Sequence, residues 1–219
     1  MSHELWMEVM DGLEDTNLEL SKYFTHQVLH NPRHLLFTLA RYKAAAKMLP
    51  RYRECAVLEL GCNEGLGSLI LAENASTLMG VDFDAAGVQW AQTNLASDIL
   101  SFVSDDFLGK EYGTFDAVIS LDVIEHISPD DEDRYFGTIM GNIAADGMCV
   151  IGTPNDTASA YASAESQKGH INMYTAERLY KAANRYFNNV FFFGMNDEVL
   201  HTGFDPMCHY LMVLACNPR

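Results

Sequence analysis

Six short apolar runs, at 56–60, 78–81, 100–103, 115–120, 148–153 and 190–193, alternate with segments of helical periodicity. Runs this short and continuous read as strands buried on both faces, which a parallel sheet provides when helices cover both of its sides. A seventh run, 209–215, follows the sixth after a loop with no room for a crossover helix. A parallel connection normally needs roughly a dozen or more residues, so this last strand is expected to return antiparallel. The expected fold is α/β: a doubly wound, seven-stranded, mostly parallel sheet with an antiparallel last strand.

The chain has 219 residues, 48% of them hydrophobic, enough for one sizeable core, and a single domain is expected. Residues 51–219 would form the sheet and its helices, and 1–50 an N-terminal helical lid. Leu5, Val9, Leu13, Leu18, Leu20, Tyr23 and Phe24 recur at irregular helical spacing, suggesting short helices over an opening. Asn31-Pro32 then opens a stronger pattern through Leu35, Leu36, Leu39, Tyr42, Ala46 and Leu49, stopped by Pro50. With 30 acidic against 14 basic side chains the formal charge is -16, which repels phosphate backbones and anionic headgroups. Neither nucleic acid nor a membrane is expected as a partner; the chain should be a cytoplasmic monomer or homodimer that meets a small-molecule acceptor. Its five cysteines, Cys55, Cys62, Cys149, Cys208 and Cys216, form no CxxC pair and read as reduced thiols.

The segment 57–67, Val-Leu-Glu-Leu-Gly-Cys-Asn-Glu-Gly-Leu-Gly, reads as a strand, a glycine-bearing turn and the start of a helix. Gly61 and Gly65 are expected to let the backbone pass close to a ligand without a Cβ in the way, and the helix amino terminus to point N–H groups at it. Dinucleotide enzymes use a similar turn, so it does not choose between ligands. Two acidic positions narrow the choice. Asp82 ends Gly80-Val81-Asp82 and can accept from both ribose hydroxyls; Asp105, in Ser104-Asp105-Asp106-Phe107, can accept from an adenine amino group. Either could instead cap a helix.

In this order and spacing, ELGCNEG, GVD, SDDF and FDAVISLDVIEHI resemble the motif series of class I S-adenosylmethionine-dependent methyltransferases, well over residues 55–155 and loosely elsewhere. The resemblance implies the Rossmann-like methyltransferase fold and S-adenosyl-L-methionine as cofactor. It implies that Glu59 and the loop of Gly61, Cys62, Asn63 and Gly65 hold the methionine part, Asp82 the ribose and Asp105 the adenine amino group. Phe83, Asp106, Phe107 and Leu121 would be further cofactor contacts. Asn63 stands where the family usually has glycine; Asn tolerates positive φ well, so the turn should survive.

The segment Leu121-Asp122-Val123-Ile124-Glu125-His126 falls at the carboxyl end of the fourth strand, which in this architecture faces the ligand crevice. Asp122, Glu125 and His126 share a face if the chain has begun to coil, and can then ligate a divalent metal or move a proton. Thr153-Pro154-Asn155 closes the fifth strand, and a polar loop leads to His170. The pattern of an acid, EH, TPN and a later His is similar to two metal-assisted families, the small-RNA 2′-O-methyltransferases and the ubiquinone-pathway O-methyltransferases. That resemblance implies Mg²⁺ or a transition metal held by Asp122, Glu125, His126 and His170. Asp122 replaces the usual Glu, and the acidic and Trp residues of the RNA enzymes are missing after His170, so an RNA substrate is not implied. Without a metal, His126 or His170 would act as a general base beside Glu125 or hydrogen-bond the substrate; Glu125-His126 could also be a helix cap.

An alcohol acceptor, with a pKa on the order of 15, needs a base or a metal to become nucleophilic, and this set offers both. The expected reaction is methyl transfer to a hydroxyl of a small polar acceptor; Tyr161 and Ser163 in the polar loop suggest a sugar. Glu198 and His201 either line the acceptor pocket or sit in a solvated hairpin. The acidic run 129–133 should open a helix. A nicotinamide oxidoreductase would show a tight GxGxxG turn and a Tyr-x-x-x-Lys pair, and neither is present. A silent binding module would have no reason to keep Gly61, Gly65, Asp82 and Asp105 together.

Overall fold

The computed structural model describes residues 2–14, 17–50 and 53–219. Five strands, β1 (Ala56–Leu60), β2 (Thr77–Asp82), β3 (Leu100–Ser104), β4 (Phe115–Leu121) and β5 (Ile143–Pro154), run parallel in the order β3-β2-β1-β4-β5. Beside β5 lies β8 (Tyr210–Pro218), antiparallel both to it and to β6 (Phe187–Asn196). The short loop before the last strand therefore set its direction as expected. The sheet has an eighth strand where seven were expected: β7 (Val199–His201) folds back on the end of β6. Asp197, at φ 50, turns that hairpin, a conformation Asp tolerates better than most residues.

Along β1 the buried side chains alternate between two cores. Val57 packs with Tyr42, Leu71, Val88 and Leu78, whereas Leu58 and Leu60 pack with Tyr135, Phe136, Ile139 and Leu179. The first core lies under α3 (Pro32–Met48), α4 (Leu66–Ala72) and α5 (Ala85–Asn94), the second under α6 (Glu132–Asn142) and α8 (Ala176–Asn184). The acidic run opens α6 as expected, after a 3-10 turn at Pro129–Asp131. Because the chain winds outward in both directions from the β1/β4 pair, the crevice lies above the carboxyl ends of those two strands. Gly61 and Asp122 are the first residues beyond them.

Part of the N-terminal region covers that crevice. Helix α2 (Lys22–His30) buries Phe24 and Gln27, and α3 buries Tyr42, Ala45 and Ala46. The residues around Leu18 and Leu20 are not helical. Helix α1 (His3–Asp11) buries none of its residues. No helix among the described residues is long and apolar enough to cross a membrane.

Candidate active site

The turn after β1 has positive φ at Gly61 (83), Asn63 (51) and Gly65 (78), so Asn63 does keep the turn. The glycines answer to the protein's own core. A Cβ on Gly61 would sit 2.2 Å from Val123 Cγ2, and one on Gly65 2.7 Å from the Phe102 ring. Close internal packing combined with left-handed backbone requires glycine at both positions. Asp82, 8% exposed, accepts the Asn63 N–H at 2.8 Å and the Asp84 N–H at 2.9 Å. Each carboxylate oxygen keeps a lone pair, so Asp82 can still accept from a ribose diol while bracing the turn.

Other expected cofactor residues lie deeper. Glu59 is 1% exposed and accepts from Ser68 of α4; burial pushes its carboxyl up to about 7, against the hydrogen bonds of Ser68 and Tyr42. Cys62 packs against Gly80, Leu121 against Gly152, and Phe107 edge-on to Tyr135. All four are core residues that shape the site from beneath. Phe83 and Asp106 are exposed beside Asp82 and Asp105. The Asp105 carboxylate bonds to the Lys110 ammonium and accepts the Tyr112 hydroxyl at 3.0 Å, and the Lys110 bond above all holds it below its ordinary value.

Beyond β4 the chain turns through Asp122, at φ 58, into a 3-10 turn over Ile124–His126. The turn buries Glu125 completely. Its Oε2 accepts the Thr153 hydroxyl at 2.9 Å, and its Oε1 has no partner among the described residues. Burial, then Asp122, raises the Glu125 carboxyl well above its ordinary value. His126 Nδ1 lies 2.9 Å from the Gly169 carbonyl, so it carries the proton and leaves Nε2 free. The His126 and His170 rings stand 5.0 Å apart, edge to face. Burial first, then His126, lowers His170 and keeps it neutral. One ligand atom from each of Glu125, His126 and His170 falls within 4.8 Å of the others.

Asp122 is not part of this set. Both its oxygens accept from Arg41 Nη1, at 2.8 and 2.9 Å, and the guanidinium lies 4.0 Å over the Tyr210 ring. A carboxylate shared with an enclosed arginine is a poor metal ligand, because a cation there would have to displace or repel the guanidinium. The expected ligand set loses Asp122 and keeps three members.

The sequence reading gave no site role to Arg41, Tyr210, Tyr23, Gln27 or Glu64. Glu64, in the glycine turn, is 5% exposed and accepts the Tyr23 and Phe24 N–H groups at 3.0 and 3.1 Å and the Ser21 hydroxyl. It caps α2 and ties the lid to the turn. Tyr23 and Gln27, one helical turn apart, share a face of α2, and the Gln27 carbonyl Oε1 is buried without a partner among the described residues. Burial, then Asp122, raises the Tyr23 phenol.

Glu198 and His201 take the hairpin alternative. His201 bonds Asn196 Oδ1 at 2.7 Å and the Gly203 N–H at 3.0 Å, within its own turn, and Glu198 is exposed. Ser163 accepts the Ser166 N–H as the cap of α7 (Ala164–Gly169), and Tyr161 is 89% exposed. Asn155 is spent on the Asp205 and Cys208 carbonyls. The five cysteines are free.

A crevice at the β1/β4 switch, a braced acidic residue at the end of β2 and an antiparallel β8 define the class I S-adenosylmethionine-dependent methyltransferases. A family model described as a methyltransferase domain matches residues 24–188. The chain belongs to that family, and the nicotinamide alternative falls away. It is 27% identical over 144 residues to a ubiquinone biosynthesis O-methyltransferase of Caulobacter sp., covering 62% of this chain and 56% of that one. It is 32% identical over 149 residues to the mitochondrial ubiquinone biosynthesis O-methyltransferase of Arabidopsis thaliana, covering 63% and 45%. The match thus spans about half the length of these relatives. The N-methyltransferase NodS of Bradyrhizobium japonicum, solved with S-adenosyl-L-homocysteine, superposes with a TM-score of 0.60 at 17% identity, covering 85% of this chain and 87% of that one.

Proposed function

We propose that the protein transfers the methyl group of S-adenosyl-L-methionine to a hydroxyl oxygen of a small polar acceptor, at the site formed by Glu125, His126 and His170. The observation that carries this reading is the convergence of one carboxylate and two imidazoles beside the crevice, with Glu125 Oε1 buried and unpartnered. The names of the relatives, O-methyltransferases of ubiquinone biosynthesis, point the same way.

S-adenosyl-L-methionine supplies the electrophilic methyl group when bound. Asp82 accepts the ribose hydroxyls, and the exposed Phe83 and Asp106 meet the adenine end. The residues fit a divalent cation: an orphaned buried carboxylate oxygen, a free Nε2 on His126 and a neutral His170 are the donors such an ion takes. Held by those three side chains, it would lower the pKa of the acceptor hydroxyl. Thr153, through Glu125 Oε2, and the Gly169 carbonyl, through His126 Nδ1, fix the orientation of two of the three. A second reading rests on His170 alone. Held neutral by burial, it can take the hydroxyl proton itself as the acceptor oxygen attacks the methyl carbon in line with the departing sulfur.

Calorimetry with S-adenosyl-L-homocysteine should show one site per chain. Asp82→Ala should weaken it by roughly 30-fold, since two ribose hydrogen bonds at about 1 kcal/mol each are lost. No binding, or no S-adenosyl-L-homocysteine formed from any hydroxylated acceptor in a broad panel, would remove the proposal. A chelator separates the two readings. It should lower turnover by at least about 100-fold, with Mg²⁺ or a transition metal restoring it, if the three side chains work through an ion. Turnover unchanged in chelator leaves His170 as the base.

A further inference from the structure

Helix α1 presents Leu5, Trp6, Val9 and Met10 on adjoining stripes, each between 43% and 50% exposed, and none of its residues is buried. Glu4, Glu8 and Asp11 run alongside, at i, i+4 and i+7. Elsewhere, the outer surface of α3 carries a groove of about 890 Å³ floored by Leu36, Leu39, Ala40 and Ala44 and edged by Lys43 and Lys47. Val199 and Leu200 of the β7 hairpin and Ile70 of α4 also line it, together with Glu73 and Glu198.

The two surfaces complement each other. At about 1.5 Å per residue, the nine residues of α1 span about 13.5 Å and the groove from Leu36 to Met48 about 18 Å. Lys43 and Lys47 stand one helical turn apart, as Glu4 and Glu8 do, so the apolar stripes can face each other with a paired row of opposite charges beside them. In a chain of net charge -16, two lysines edging the groove are where an acidic helix can dock.

No residue of α1 lines the groove of its own chain. Trp90 of α5 donates to the Glu19 carbonyl at 3.2 Å and so ties Glu19 to that helix. A second copy can bring its α1 to the groove, and a two-fold axis then makes the contact twice.

We infer that the protein forms a homodimer in which α1 of each copy lies in the α3 groove of the other, Glu4 and Glu8 against Lys43 and Lys47. Sedimentation velocity over a concentration series tests this. The wild-type chain should sediment as a dimer. Glu4→Lys with Glu8→Lys, and separately Lys43→Glu with Lys47→Glu, should each weaken the dimer by at least about tenfold, as two facing charge pairs become like-charged in each contact. Both reversals together should restore it. The altered side chains are all exposed, so folding is not at stake. A monomer at every concentration overturns the inference, whether α1 is then free or folded onto its own chain. So does a dimer indifferent to both reversals, or one that the combined variant fails to recover.

Discussion

Exchanging Arg41 for methionine should cost about 3–4 kcal/mol of folding stability, the usual penalty for stripping the partner from an enclosed charge. The side chain is 13% exposed and gives one Nη1 to both Asp122 oxygens while its guanidinium covers the Tyr210 ring. Methionine fills much of the same volume, so packing is largely kept and the loss falls on Asp122. That carboxylate would be left facing Glu125 with no counter-charge, and Arg41 is one of the groups that holds the Glu125 carboxyl down. Urea unfolding measures the cost, and a double variant, Arg41→Met with Asp122→Asn, should regain most of it by removing the stranded charge. A single-variant loss below about 1 kcal/mol would mean that solvent already screens the pair, as it does for exposed ion pairs. A double variant no better than the single would show that the cost lies in packing on Tyr210.

The Arg41 pair also marks where sequence reading stops. Asp122 and Arg41 are 81 residues apart, and an arginine on a helix with lysines nearby looks like one more solvated charge. Nothing local distinguishes it from Lys43 two residues on. Glu64 is hidden in the same way: inside a glycine turn it reads as a spacer, and its partners at 21, 23 and 24 exist only once the lid has folded. The strands were legible because a continuous apolar run encodes burial on both faces by itself, and the direction of β8 because loop length is a property of the chain. A hairpin at 196–203 was one of two readings, but its strand β7 was missed for the opposite reason: three half-exposed residues carry too little apolar signal, and only Asn196-Asp197 hints at the turn. Glu125, His126 and His170 were brought together by resemblance, since 44 residues separate the last two and no periodicity connects them. The positive φ and tight internal contacts at Gly61 and Gly65 were not legible, since they leave the same mark in a sequence as an approach to ligand.

Replacing Glu125 with glutamine should reduce turnover by about 100-fold or more while making the ion-free protein more stable at alkaline pH. Both effects follow from a carboxylate buried completely with one oxygen unpartnered. Its ordinary value is 4.5, and burial beside Asp122 raises it in the folded protein. The folded state therefore holds a proton that the unfolded chain has released, and stability is full below 4.5 and is lost as pH rises through the raised value. Glu59, raised to about 7, contributes a slope of the same sign between 4.5 and about 7. Glutamine at 125 has no proton to lose and can still accept from Thr153, so in chelator the melting temperature of the variant should match wild type near pH 5 and exceed it near pH 8. Under the proposed ion-assisted reading a divalent ion should reverse the order: it would take the place of the proton on Glu125, stabilise wild type increasingly as pH rises, and gain little from an amide. Melting curves at the two pH values, with and without added ion, decide each part separately. Turnover within tenfold of wild type would remove Glu125 from the reaction, and a melting difference that does not change with pH would show that its carboxyl is not raised at all.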